Sequence, residues 1–484
     1  MKTMNKGRVV WGGFLVLLVM SGMTLRSYGQ PRQPERSIPN LYSSLCAACH
    51  GAEMRGGQFK GFIGENWSGP SDDASLANAI RDGSTNKLMP AMSFALSDAE
   101  IRAMVVFIRE KIQQAKNETN VFAKPIDGAV VNSREHKFKF KTVVTGLDTP
   151  WSMAFLPDGR QLIAELSGRL RVVVNGQLQP EPVSGTPKVR AKGQGGLMEV
   201  VLHPDYANNG WIYLGYSDAA LDAGGKEVGM TAIARGRLKG NEWTDNEVIY
   251  CAPLETYLPT THHYGNRLVF DGKGHLFFTI GERGSAEHAQ NLKLPNGKVH
   301  RIFDDGRIPS DNPFVKQVGA LPTIWCYGNR NPQGLAQHPE TGEVWETEHG
   351  PRGGDELNLI LPGRNYGWPI ITFGMDYNGT PVTGGLTAKE GMEQPVTFWT
   401  PSIAVCGIDF YAGGKFPRWK NNLFVTGLAS QEFRRLVLEG HAVKEQEVLF
   451  KNIGRVRDVA NAPDGFVYVI LNKPDQIVRL EPAE

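Results

Sequence analysis

The sequence carries almost no net charge: 52 Lys and Arg stand against 50 Asp and Glu, a balance of +2 over 484 residues. A chain so balanced lacks the basic surface that nucleic acid or an anionic membrane requires, so a small or neutral partner is expected. Cysteine is scarce too. Five cysteines are an odd set, which argues against a framework in which all are paired. Nor is the chain polar enough for a disordered tail, with 41% hydrophobic and 21% charged residues, and its length exceeds one ordinary domain. What it has in excess is glycine, 56 residues, alongside 30 Pro and 10 Trp, a balance that points to a turn-rich, mainly β protein.

The first 29 residues have the parts of an export signal: basic Lys2, Lys6 and Arg8, an apolar run, then small Ser27 and Gly29 before Gln30. An uncleaved membrane anchor is the alternative, because the apolar run approaches the lower length for a span. Either way a periplasmic or otherwise exported body is expected.

Cys46-Ala47-Ala48-Cys49-His50 is a haem attachment sequence. One helical turn brings two thiols under the two vinyl groups, and the next residue delivers an imidazole to iron. Downstream, Leu88-Met89-Pro90-Ala91-Met92 offers two thioethers. Met89, stiffened by the following proline, is the expected second axial ligand, with Met92 packing on the haem edge. The spacing predicts a short helix ending at Gly83, and a capping box at Ser97-Asp98-Ala99-Glu100 opening a helix whose Ile101, Met104, Val105, Ile108 and Ile112 face a core. Residues 35–116 resemble class I cytochromes c, a small all-α domain.

Residues 117–136 are polar without an apolar period and read as a linker. After them a mark recurs six times: Pro157-Asp158-Gly159, His203-Pro204-Asp205, Asp271-Gly272-Lys273-Gly274, His338-Pro339-Glu340, Gly413-Gly414-Lys415 and Ala462-Pro463-Asp464-Gly465. Each is a tight turn leading into an apolar strand, and the spacing suits a propeller blade of four short strands. Residues 137–484 are therefore expected to form a six-bladed β-propeller whose inner strands converge on an axial channel.

Polar residues gather in Gly-rich loops: Thr261-His262-His263-Tyr264-Gly265-Asn266-Arg267, Tyr327-Gly328-Asn329-Arg330-Asn331, and Glu348-His349-Gly350-Pro351-Arg352-Gly353-Gly354-Asp355-Glu356. The last suits a hard cation, since glycine turns can present carbonyls beside carboxylates. A zinc site on His262 and His263 is disfavoured if both lie on a strand, where neighbours point apart. A single histidine beside an arginine suits general-base work. Cys251 and Cys326 are expected to be buried thiols.

These loops, with Gly193-Gln194-Gly195-Gly196-Leu197, Asn365-Tyr366-Gly367-Trp368-Pro369 and Arg455-Val456-Arg457-Asp458-Val459, resemble the soluble-type pyrroloquinoline quinone (PQQ) dependent aldose sugar dehydrogenases over residues 139–482. The resemblance implies a six-bladed propeller that oxidises a sugar hydroxyl by hydride transfer to PQQ. His263 would be the base, Arg330 would hold the quinone oxygen beside Asn331, Gln194 would position cofactor or substrate, and Arg455 and Arg457 would meet the cofactor carboxylates. The carbonyls of Gly350 and Pro351 would bind a Ca²⁺, and Glu356, Tyr366 and Asp376 match positions of a second, structural Ca²⁺. The chain departs from some relatives at Ala429, where they carry a lysine, and at Cys406, usually a small hydroxyl residue. The fused haem implies electron exit to a downstream cytochrome or respiratory chain. Two other readings remain open: a carbohydrate-binding propeller without turnover, and a Ca²⁺-dependent lactonase or hydrolase.

Overall fold

The computed structural model describes residues 36–64, 69–70, 72–84, 88–119 and 124–483. The export segment, residues 1–29, lies outside them. Among the described residues no helix is long and apolar enough to cross a membrane.

Four helices come first: α1 (Ile38–Leu45), α2 (Ala47–His50), α3 (Asp73–Asp82) and α4 (Asp98–Thr119). Their ends follow from local chemistry. Asp72 caps α3 by accepting from the Ser75 N–H at 2.7 Å, and Gly83 closes it at a φ of 79°. Ser97 and Glu100 form the expected capping box at α4: the Ser97 N–H donates to Glu100 Oε2 at 2.8 Å, and the Glu100 N–H donates to Ser97 Oγ at 3.3 Å. Ile101, Met104, Val105 and Ile108 of α4 are buried against Leu41, Tyr42, Leu76, Ile80 and Met92.

The rest is six sheets in a ring, four strands in five of them and five in the sixth. The inner strands are Pro150–Phe155, Leu197–Leu202, Leu268–Phe270, Pro332–Gln337, Val405–Phe410 and Arg455–Asn461, which define blades 1 to 6. Each inner strand packs against the inner strand of the next blade, and blade 6 packs against blade 1. Six apolar clusters fill the gaps between neighbouring blades, for instance Phe424, Phe433 and Phe450 of blade 5 against Phe138, Val469 and Val478 of blade 6. All six recurring turns lie between the first and second strands of their blades. The fold is thus the expected mainly β propeller preceded by a small helical unit.

Blade 6 closes the ring by pairing the last strand, Gln476–Pro482, with Lys137–Val144 from the start of the propeller. Val130–Asn132 then adds a fifth strand outside it. The stretch read as a linker therefore contributes an edge strand: its polarity reflects an exposed edge rather than free chain.

Candidate active site and haem pocket

In an antiparallel blade the second strand returns to the mouth where the first began, so two kinds of position meet there. Trp151, Gln194, His263, Arg330, Arg455 and Arg457 stand at or just before inner strands, and Glu282, His349, Leu428 and Lys473 follow second strands. A cavity of about 220 Å³ at this mouth is lined by Trp151, Gln194, Gln333, His349, Leu428, Arg455, Arg457 and Lys473. Arg330 and His349 line a smaller one alongside with Gly350, Glu356, Tyr366 and Trp368.

His263 sits at φ 55°. Its N–H donates to Gln194 Oε1 at 2.8 Å, and its Nδ1 lies 2.7 Å from Glu282 Oε1. Gly281 permits the approach, because a Cβ there would lie 2.3 Å from the His263 carbonyl oxygen. Burial lowers the imidazole pKa, the Glu282 bond opposes this, and the Arg330 charge lowers it further. The ring is held neutral with Nδ1–H toward Glu282, which leaves Nε2 as the basic nitrogen. For Glu282, burial would raise the pKa, but the bond from His263, the charge of Arg330 and the Gly284 N–H hold it below the usual range. The two histidine rings meet edge to face at 4.7 Å rather than pointing apart, since they lie on a loop and not on a strand. Among the described residues no group of three or more His, Cys, Asp or Glu is placed to hold a metal.

Arg330 is 6% exposed and donates through Nη1 to the carbonyls of His349 at 3.2 Å and Gly350 at 2.8 Å, while its Nε has no partner. Asn331 ties the two histidine loops together, accepting from the Gly265 N–H at 3.2 Å and lying 3.5 Å from His349 Nδ1. Arg457 lies 3.7 Å over Trp151 and donates to Asn472 Oδ1 at 3.1 Å. The family resemblance grouped Arg455 with Arg457, two residues apart, which on a regular strand would face the same way. The strand is interrupted between Val456 and Asp458 by a bulge, yet both side chains line the cavity. Among the described residues no carboxylate lies within ion-pair distance of Arg330, Arg455 or Arg457. Arg455 and Arg457 on the larger cavity, Arg330 on the smaller one beside it, and the unpartnered Arg330 Nε, His349 Nε2 and Trp151 Nε1 fit a flat ligand bearing several carboxylates; the one carboxylate in the larger wall, Asp475, accepts from the Thr149 and Lys473 N–H groups. Lys473 supplies a lysine to the same wall as Leu428, although position 429 is alanine.

The cation assignments are less well served. The Gly350 carbonyl already accepts from Arg330 at 2.8 Å, and Pro351 follows in the same buried turn, so a cation there would share that carbonyl with a neighbouring guanidinium. Glu356 and Tyr366 share a cavity, but the Tyr366 hydroxyl is committed to the Leu359 carbonyl at 2.5 Å and the Leu361 N–H at 2.9 Å. Asp376 stays apart, on a turn closed by the Gly379 N–H, with burial raising its pKa against the pull of Arg330. The Glu356 carboxyl is pushed well up by burial and by Glu348.

The helical unit holds a cavity of about 340 Å³ lined by Cys46, Cys49, His50, Met89, Pro90 and Met92. His50 Nδ1 lies 3.0 Å from the Lys60 carbonyl, so that proton is committed and Nε2 is free for iron. Burial and the neighbouring Cys49 push the Cys46 thiol up to about 11. These residues fit a covalent haem. Met92 is buried in the core and Met89 partly buried at its edge. Cys326 is buried as expected, but Cys251 is exposed, because it ends a strand on the outer edge of blade 2.

Glu282, His349, Trp151 and Lys473 were given no role from the sequence. Glu282 lies in Gly281-Glu282-Arg283-Gly284, two residues past the second strand of blade 3, and His349 one residue past the second strand of blade 4.

A six-bladed propeller with an arginine-walled cavity beside a braced imidazole, joined to a haem-binding helical unit, has counterparts. Residues 147–479 match the family described as glucose/sorbosone dehydrogenase, and residues 33–108 match the one described as cytochrome c oxidase, cbb3-type, subunit III. The aldose sugar dehydrogenase YliI of Escherichia coli (strain K12) is 42% identical over 344 residues, covering 69% of this chain and 91% of that protein. A crystal structure of a glucose dehydrogenase aligns with a TM-score of 0.68 at 40% identity, over 72% of this chain and 100% of that one. The PQQ-bound aldose sugar dehydrogenase of Streptomyces coelicolor aligns with a TM-score of 0.57 at 27% identity, over 74% of this chain and 99% of that one. The chain belongs to the glucose/sorbosone dehydrogenase family, with a cytochrome c unit at its N-terminal end.

Replacing Glu282 by Gln is expected to lower kcat for sugar oxidation by about 10²-fold with KM little changed. The carboxylate raises the His263 pKa, so its loss moves the acid limb of the pH–rate profile to lower pH, a shift that a purely structural role would not produce.

Proposed function

We propose that this chain oxidises the C1 hydroxyl of an aldose or related sugar with PQQ as the acceptor, and that the electrons leave through haem c. The observation that carries this reading is a pair of adjoining cavities that share His349, one walled by Arg455 and Arg457 and the other by Arg330, none of the three with a carboxylate partner among the described residues, next to a neutral, carboxylate-braced imidazole. PQQ, when bound, supplies an electron-accepting o-quinone and three carboxylates. Arg455 and Arg457 bind those carboxylates, each charge-assisted bond contributing roughly 1.5–3 kcal/mol. His263 Nε2 takes the hydroxyl proton as hydride leaves C1, Glu282 stabilises the imidazolium that results, and Gln194 fixes the His263 backbone. Arg330 faces the negative charge that develops on the acceptor. The carbonyls of Gly350 and Pro351 would be the groups that hold a Ca²⁺, which would add positive charge beside Arg330. Export is part of the same reading and rests on residues 1–29 and the haem attachment sequence.

The test is spectroscopic. Loaded with haem, PQQ and Ca²⁺, the chain is expected to reduce a soluble dye and its own haem when aldoses are added. Sugar binding with neither reduction would favour a binding propeller, and lactone hydrolysis without reduction would favour a hydrolase.

A further inference from the structure

Helix α4 lies against the loop that carries the Gly350 turn. Val106 and Glu110 meet it, and one to two turns earlier on the same helix Ala99 and Arg102 meet Gly385 of the following loop. Arg102 Nε donates to the Gly385 carbonyl, and a Cβ on Gly353 would sit 3.2 Å from Val106 Cγ1. Arg352 donates to both Glu110 oxygens, Nε at 3.1 and 3.0 Å and Nη2 at 2.7 Å, with its guanidinium 5.9 Å over Phe107. From α1 the Ile38 N–H donates to the Gly379 carbonyl at 2.7 Å.

Met375 belongs to the propeller by sequence but is 0% exposed within the cytochrome core, in the cluster against which Cys46 and Met89 pack. It is bonded to Arg352 in both directions, Met375 N–H to the Arg352 carbonyl at 3.0 Å and Arg352 N–H to the Met375 carbonyl at 2.9 Å. Both residues lead straight back to Arg330. Two residues before Arg352 is the Gly350 carbonyl, 2.8 Å from Arg330 Nη1, and two residues after Met375 is Tyr377, its ring 5.9 Å from the Arg330 guanidinium.

We propose that the paired segments 350–353 and 375–377 are the electron bridge from the quinone site to the haem, and that the Glu110–Arg352 ion pair is the positioning contact that holds the cytochrome on it. This rests on the reading above. Tunnelling weakens steeply with every gap, and from Arg330 to Met375 this route follows hydrogen bonds and covalent links, Met375 then lying in the packed cluster that Cys46 and Met89 border. Oxidation of an aldose to a lactone releases two electrons and two protons. The electrons pass one at a time to ferric haem, and an external one-electron acceptor such as ferricyanide reoxidises the ferrous haem between transfers. The protons leave to solvent, the first by way of His263.

The experiment uses the full chain with haem, PQQ and Ca²⁺, and compares Glu110→Lys and Glu110→Gln with the unaltered protein. Glu110→Lys sets two cations face to face, and sugar-driven haem reduction in stopped flow should slow by about tenfold or more. Glu110→Gln, which keeps the shape and removes the charge, should slow it by about threefold and serves if the lysine variant fails to fold. Sugar-driven reduction of a soluble dye, the haem spectrum and the haem midpoint potential should stay unchanged. Haem reduction at the unaltered rate in both variants overturns the proposal. Dye reduction without haem reduction in the unaltered chain overturns the bridge and leaves the dehydrogenase reading standing, whereas neither reduction overturns the reading on which the bridge depends.

Discussion

Replacing His263 by alanine is expected to cut kcat for aldose oxidation by about 10²–10⁴-fold, the usual contribution of a positioned general base. The ring is the group whose Nδ1 is fixed by Glu282 at 2.7 Å, so removing it takes away both the proton acceptor and the reason for that carboxylate to be buried. Binding of PQQ should change little, because Arg455, Arg457 and Lys473 line the cavity independently of it. Single-turnover dye reduction together with a PQQ titration by fluorescence separates the two. Unchanged turnover would mean that another group takes the proton.

Arg267→Met is expected to prevent stable folding. The Arg267 guanidinium is 4% exposed and is the cation shared by Glu199 at 3.2 Å and Asp458 at 3.0 Å, while its Nε donates to the Gln333 carbonyl at 2.7 Å. It stands between the cavity at the site mouth and a second, of about 290 Å³, lined by Glu199, Arg267 and Asp458. Removing one partner of such a pair costs about 3–5 kcal/mol, and here two buried carboxylates lose their counter-charge. Against a total stability of about 5–15 kcal/mol that is a large fraction, readable as a collapse of the thermal midpoint by circular dichroism. A midpoint within a few degrees of the unaltered chain would show that the cluster is not a keystone.

The same cluster sets a pH dependence. Burial raises the Glu199 pKa, Arg267 opposes this, and Asp458 raises it further, to about 7. The folded chain therefore keeps a proton on Glu199 that the unfolded chain loses near the ordinary value of 4.5. Its contribution to stability is complete below about 4.5 and is lost as pH rises through about 7. Glu199→Gln should flatten that part of the profile.

What could be read without the structure was whatever depends on neighbours in the chain. The haem attachment sequence, the Ser97–Glu100 box and the six turns each act over a few residues, and all appear where expected. His263, Arg330, Gln194, Arg455 and Arg457 were reached through a family likeness, and they meet around one mouth. Glu282 was not found, because nothing local distinguishes a carboxylate at a strand end that braces a base from one that faces solvent. The polarity of residues 117–136 suggested a free linker, since an edge strand at the rim of a ring has the same composition.

From the sequence alone followed the ingredients: a haem-binding helical unit, six repeats of strand and turn, and a small set of basic and imidazole side chains. Only the closed ring decided their meeting, because Trp151 and Lys473 come from opposite ends of the propeller and share a wall only after the last strand, Gln476–Pro482, pairs with Lys137–Val144. The docking of α4 on the Arg352 turn was likewise decided in three dimensions, since Glu110 and Arg352 stand 242 positions apart and their charges are drawn together only when both units are folded.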